Sequence, residues 1–155
     1  MLLRSISSLA MAGFDASPAG GTEIGGILLG RKTGDRVQIL ACQPAACEHE
    51  YGPAFLLSER DEAALGELLV EEGASMIPVG WYCTEYRDLW VRPENAVMHR
   101  RYFPNPWQIA MVFARTKAQP VRIGVFSAGP HGSTPFILQH QLTIGHGSAN
   151  GNRMR

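Results

Sequence analysis

The sequence predicts a single α+β domain (an α/β sandwich in the broad sense) built on a mixed, mainly antiparallel sheet flanked by helices. Three observations carry that expectation. Short apolar runs separated by turn residues alternate with three helical stretches. The order of these segments is helix, hairpin, helix, strand, helix, hairpin, which suits a layered α+β arrangement. A chain of 155 residues with 45% hydrophobic and 18% charged side chains, and with no internal repeat, suits one core and one domain.

Taken in order, "MLLRSISSLAMAGFDA" places Leu2, Leu3, Ile6, Leu9, Ala10 and Gly13 on one helical face. Serines interrupt its apolar stretch, so a surface helix is expected here and a secretory signal is not. "TEIGGILLG" and "RVQILACQPA" flank the polar turn "RKTGD" and read as a hairpin of two mostly buried strands. A helix then opens at Ser58, with Asp61 three residues on, presents Leu65, Leu68 and Leu69 on one face, and stops at Gly73. "MIPVGWYCTE" reads as a buried strand and "PENAVMHRRYF" as a short helix opened by Pro93. "NPWQIAMVFART" and "VRIGVFSAG" form a second hairpin through "KAQP". "TPFILQHQLTI" is a last strand or a short helix, and residues 146 to 155 form a glycine-rich polar tail with no face to bury, expected to be mobile. The domain is therefore expected to span residues 1 to 145.

Charge narrows the function classes. Fourteen basic and 14 acidic residues give a formal charge of +0, so no electrostatic footprint points to nucleic acid or an anionic membrane. No apolar run approaches the roughly 18 residues that span a bilayer. Three cysteines, Cys42, Cys47 and Cys83, are an odd number without a dense framework, which favours free thiols and a cytoplasmic location.

The stretch "VGWYCTEYRDLWVRPEN" ends an apolar run with Cys83 and Glu85, two side chains able to bind a metal, yet no histidine follows until His99. Together, "TEIGGILLG", "PVGWYCTEYRDL" and "RYFPNPWQIAMVF" resemble, in order and distance, three blocks of the MPN domain, also called the JAB or JAMM metalloprotease domain. The resemblance is to a bacterial-type member and covers nearly the whole chain. It implies an MPN, cytidine-deaminase-like fold. In active members, a glutamate precedes the glycine-rich first strand, and a later strand ends in His-x-His followed by a serine and an aspartate. The histidines and the aspartate hold zinc, leaving a fourth position for water whose pKa falls to about 7. The glutamate is the general base.

By this resemblance Glu23 matches the general base, while Cys83 and Glu85 stand where the two histidines belong. Family spacing puts the serine and aspartate at Pro93 and Ala96, or at Arg92 and Asn95 if the loop is one residue shorter. The second alignment is the more natural because "RPEN" resembles the family's "SPED". Neither restores the pattern. Asparagine is a poor zinc ligand, and an arginine brings positive charge to the place of a cation. The resemblance thus implies a catalytically degenerate domain with no cofactor, acting as an interaction or scaffolding module. Its partner would be a protein, such as a ubiquitin-like protein or a peptide tail, with a homodimer also open. The competing expectation is a zinc-dependent peptidase with the altered ligand set Glu23, Cys83 and Glu85. A third is a peptide or small-molecule binder that uses the old cleft.

Plainer readings stand beside these. Glu23 can be a strand-end carboxylate paired with Arg92 or Arg87. Cys83 can be a small half-buried side chain, and "CTE" lacks the neighbouring glycines that would make Cys83 with His99 a nucleophile and base. His99 is expected on the surface of its helix. Trp81, Tyr82, Phe103 and Trp107 are expected in the core, and His131 and His140 are too isolated to assign. Trp90 sits between Arg87 and Arg92 on a loop, where an aromatic among arginines suits an interface anchor, or it folds back onto the core.

Overall fold

A computed structural model describes residues 22–70, 75–115, 121–128 and 136–144 of the chain. The expected N-terminal helix, the stop at Gly73, His131 and the C-terminal tail lie outside these residues. Among them are six strands and two helices: β1 (Gly25–Thr33), β2 (Arg36–Pro44), α1 (Glu59–Leu69), β3 (Ile77–Glu85), α2 (Pro93–Tyr102), β4 (Ile109–Ala114), β5 (Val121–Ser127) and β6 (Ile137–Ile144). They form an α+β fold in which one mixed sheet runs in the order β2-β1-β3-β4-β5-β6. Every neighbouring pair is antiparallel except β3 and β4. A parallel pair cannot be closed by a tight turn, so the chain must cross over between β3 and β4. Helix α2 lies in that crossover, and its first residue therefore follows closely on the carboxyl end of β3. The segment 137–144 resolves as a strand, paired with β5.

Helix α1 begins as its sequence dictates. The Ser58 hydroxyl accepts from Asp61 N–H at 3.1 Å, and the Asp61 carboxylate accepts from Ser58 N–H at the same distance, a complete capping box. Asp61 also accepts from Glu48 N–H, which ties the loop after β2 to the helix.

Apolar side chains fill both faces of the central strands, which explains why β3 and β4 read as nearly unbroken apolar runs. On the side that carries both helices, Ile27, Trp81, Ala110 and Val112 pack with Leu65 of α1 and with Met98 and Phe103 at α2. Leu28, Val79, Tyr82, Phe113 and Ile123 form the cluster on the opposite face. Val79 and Tyr82 share a face despite their odd spacing because the β1–β3 register slips between Leu28 and Leu29, leaving Val79 bulged. The bulge brings Gly80 against β4, where a Cβ would run into the carbonyl of Ile109. Trp81, Tyr82 and Phe103 are core residues, as expected, and Trp107 is partly buried.

Three expectations fail here. The second strand, expected to be mostly buried, is the edge strand β2, whose residues are all exposed or half-buried. His99 does not lie on the surface: it is 1% exposed. The inward face of α2 is Asn95, Ala96, Met98 and His99, while the apolar Val97 points outward, the reverse of the usual pattern. His99 is held inside because its Nδ1 accepts from the indole N–H of Trp81 at 2.8 Å, a buried donor that needs a partner. Phe103 and Phe136 flank the imidazole. Cys83, expected to be half-buried, is 4% exposed within the helix-side core.

Burial, with a smaller effect from Arg100, pulls the pKa of His99 down to about 4. The imidazole is therefore neutral at pH 7, and its Nε2 has no hydrogen-bond partner among the described residues. A base whose pKa is depressed by folding stabilises the fold above its unfolded value of about 6.5 and loses that contribution as pH falls toward 4. The stability difference between wild type and His99→Gln should consequently shrink by about 2–3 kcal/mol as pH is lowered from 6.5 to 4. Urea unfolding across that range measures it; a difference independent of pH would contradict the account.

Candidate functional site

The candidate site lies at the carboxyl end of β3 and is set by strand register. Gly25 pairs with Cys83, Gly26 with Tyr82 and Ile27 with Trp81. Carried two residues past the first pair, that register puts Glu23 opposite Glu85. The backbone follows, since Thr84 N–H donates to the Ile24 carbonyl at 2.8 Å and Ile24 N–H to the Thr84 hydroxyl at 2.9 Å. Trp81, Cys83 and Glu85 alternate onto the helix-bearing face. Both carboxylates are buried, Glu23 at 4% and Glu85 at 2% exposure.

Arg92, immediately before α2, reaches between them. Its Nε donates to Glu85 Oε2 and its Nη2 to Oε1, both at 3.0 Å, a two-pronged ion pair. The same Nη2 lies 3.6 Å from Glu23 Oε2. Of the two partners expected for Glu23, it is Arg92 that pairs; Arg87 is exposed and contributes its backbone N–H to Glu85 Oε1 at 3.2 Å. The Glu23 carboxylate also accepts from Phe55 N–H at 3.0 Å and Tyr86 N–H at 3.1 Å. Asn95, one turn into α2, donates its side-chain amide to the Phe55 carbonyl at 3.1 Å. Glu23, Glu85, Arg92 and Asn95 are thus brought together around the segment 53–55, which lies between β2 and α1 in the chain and is tied to α2 by Asn95. A cavity of about 320 Å³ opens on Glu23, Glu85 and Arg92, lined also by Pro53, Ala54, Tyr86 and Arg87.

Trp90 is 38% exposed, and the guanidinium carbon of Arg92 lies 5.3 Å from its ring centroid. One contact of the ring is therefore with Arg92, a cation–π pair at the rim of the site. Arg92 is committed inward to two carboxylates and sideways to an indole, which leaves Trp90 and Arg87 as the outward-facing members of the set Trp90, Arg87 and Arg92.

The electrostatics follow from two buried carboxylates and one guanidinium. Burial raises the Glu85 pKa most, the charge of Glu23 raises it further, and Arg92 offsets only part, so the group titrates at about 7. Burial also pushes the Cys83 thiol well above its ordinary value, with Glu23 and Glu85 adding to the effect. Cys83 is accordingly a thiol at pH 7 and a poor nucleophile.

The residues present do not fit a zinc ion. The altered ligand set Glu23, Cys83 and Glu85 would need an open carboxylate where Arg92 already covers both oxygens of Glu85. The amide of Asn95 presents a hydrogen-bond donor to Phe55. Among the described residues no three histidine, cysteine, aspartate or glutamate side chains are grouped as a metal site requires. His99 could not serve as a base for Cys83, since its Nδ1 is taken by Trp81.

No protein-family model matches the chain, and no curated protein matches it. Solved structures do. A solution structure of a protein from Desulfitobacterium hafniense aligns over 89% of this chain and 87% of its own, with a TM-score of 0.58 and 15% identity. A second solution structure, of a protein from Salinibacter ruber, aligns over 88% and 86% with a TM-score of 0.51 and 16% identity. At such identity these matches establish a shared fold and nothing about chemistry.

The pH dependence of the site has the opposite sign to that of His99. Folding raises the pKa of the Glu85 acid, so its contribution is full below the unfolded value of about 4.5 and is lost as pH rises through 7. Glu85→Gln keeps the shape and removes the competing charge. Relative to wild type, this variant should gain stability steadily between pH 4.5 and 7.5 in thermal melts. A relative loss over that range would mean that the Arg92 ion pair outweighs burial and the repulsion from Glu23.

Proposed function

We propose that this chain is a catalytically degenerate MPN-like domain that acts as a protein-interaction or scaffolding module and has no hydrolytic activity. The observation that carries the reading is the position of Arg92. Where the family resemblance calls for a metal flanked by a general base and a ligand, the chain supplies its own cation, forked onto Glu85 and within 3.6 Å of Glu23. A guanidinium has no open coordination position and cannot lower the pKa of a water, so the hydrolytic step loses its nucleophile. What remains is a hydrogen-bonded cluster that rigidifies the loop around Trp90.

The half-exposed Trp90 and the exposed Arg87 are the residues proposed to meet a protein partner, with a ubiquitin-like protein or a peptide tail as the class the resemblance suggests. An exposed indole already held against a guanidinium loses little side-chain freedom on binding, which is the property of an interface anchor. All three cysteines are free thiols, which supports the proposed cytoplasmic location, and no described helix is long and apolar enough to cross a membrane.

Protein purified without added zinc or immobilised nickel should contain far less than one zinc per chain, and a chelator should leave its melting temperature unchanged. One zinc per chain, lost together with stability, would overturn the proposal, because a bound structural ion contributes many kcal/mol to folding. Trp90→Ala should cost about 1 kcal/mol, the value of a partly exposed cation–π pair, while abolishing binding to the partner or self-association. A loss of 3 kcal/mol or more with binding intact would make Trp90 a core residue.

A further inference from the structure

A second recess lies on the outer side of α2. Its volume is about 520 Å³, and none of Glu23, Glu85, Arg92 or Trp90 lines it. The helix contributes Glu94, Val97, Met98 and Arg101, spaced i, i+3, i+4 and i+7, together with Asn95, which also belongs to the first site. The loop before α1 contributes Tyr51 and Leu57. Val97 is 52% exposed and Tyr51 61%, so two large apolar groups stand open to water on facing walls.

The charges along this groove are unequal. Glu62 of α1 is neutralised by Arg101 at 3.3 Å. Glu94, exposed at the other end, makes no ion pair among the described residues. An apolar trough with one uncompensated carboxylate at its end complements an apolar segment that carries a positive charge. The walls are also built in advance. Asn95 holds the Phe55 carbonyl, Glu23 holds the Phe55 N–H, and the Cys47 thiol lies 3.4 Å from the Leu56 carbonyl, so little ordering is required of the loop on binding. Seven residues of helix measure about 10 Å, the reach of about three extended residues.

We propose that this groove is a docking site for a short extended segment of a partner protein in which apolar side chains alternate with lysine or arginine. The apolar groups lie on Val97, Met98, Leu57 and Tyr51, and a cation rests at Glu94. The site is separate from the Trp90 surface and does not rest on the degenerate-site reading, so either can fail alone.

The test uses the isotopically labelled full chain and two acetylated, amidated tetrapeptides, one alternating leucine with lysine and the other leucine with glutamate. In ¹⁵N-correlated spectra the lysine peptide should produce saturable shifts at the amides of Leu57, Val97 and Met98. Affinity should fall about tenfold or more for the glutamate peptide, for Glu94→Lys and for Val97→Asp. Both substituted positions are exposed, and unchanged melting temperatures will show that the fold is kept. Absence of saturable shifts, equal binding of the two peptides, or shifts confined to the Trp90 loop would each overturn the proposal. Loss of binding in Val97→Asp with none in Glu94→Lys would overturn the charge complementarity on which it depends.

Discussion

The antiparallel register between β1 and β3 is the constraint on which the candidate site depends. Once Gly25 lies opposite Cys83, the two residues flanking the end of the ladder are glutamates, and both are buried. Two buried carboxylates at close range repel, and neither can be left without compensation. The crossover from β3 to the parallel β4 brings α2 to the same end of the sheet, and Arg92 immediately before that helix supplies the compensation. The rest of the local structure answers to this arrangement. Glu23 spends its remaining acceptor capacity on Phe55 and Tyr86, Asn95 secures the other side of Phe55, and Trp90 covers part of the guanidinium.

A cluster of this kind is not an efficient source of stability. One guanidinium serves two carboxylates, so the pair carries an unmet charge or an extra proton near neutrality, and an apolar replacement could serve folding equally well. Its value is geometric. A forked arginine fixes the direction in which the loop 86–92 leaves the sheet, and with it the placement of Trp90 and Arg87.

Much of the fold was legible in the sequence because each element carried a local signature. Ser58 with Asp61 marked the start of α1, Pro93 that of α2, and unbroken apolar runs marked β3 and β4. The pairing of Glu23 with Arg92 could be anticipated from charge alone. Its geometry could not, because it depends on a register set by long-range pairing and shifted by a bulge at Val79. His99 was misplaced for a different reason. Helix α2 turns asparagine and histidine inward and valine outward, and only tertiary partners, Phe55 for one and Trp81 for the other, make that orientation favourable. The groove beside Val97 was invisible for the same reason, since an outward valine on a short helix has no sequence signature.

The central claim is that the Arg92 guanidinium fills the place a catalytic cation would occupy. Crystals grown in the presence of zinc, with diffraction recorded on both sides of the zinc absorption edge, address it most directly. The account predicts continuous density from Arg92 to Glu85 and no anomalous peak near Glu23, Cys83 or Glu85. An anomalous peak at that position, with Arg92 turned away from Glu85, would contradict it.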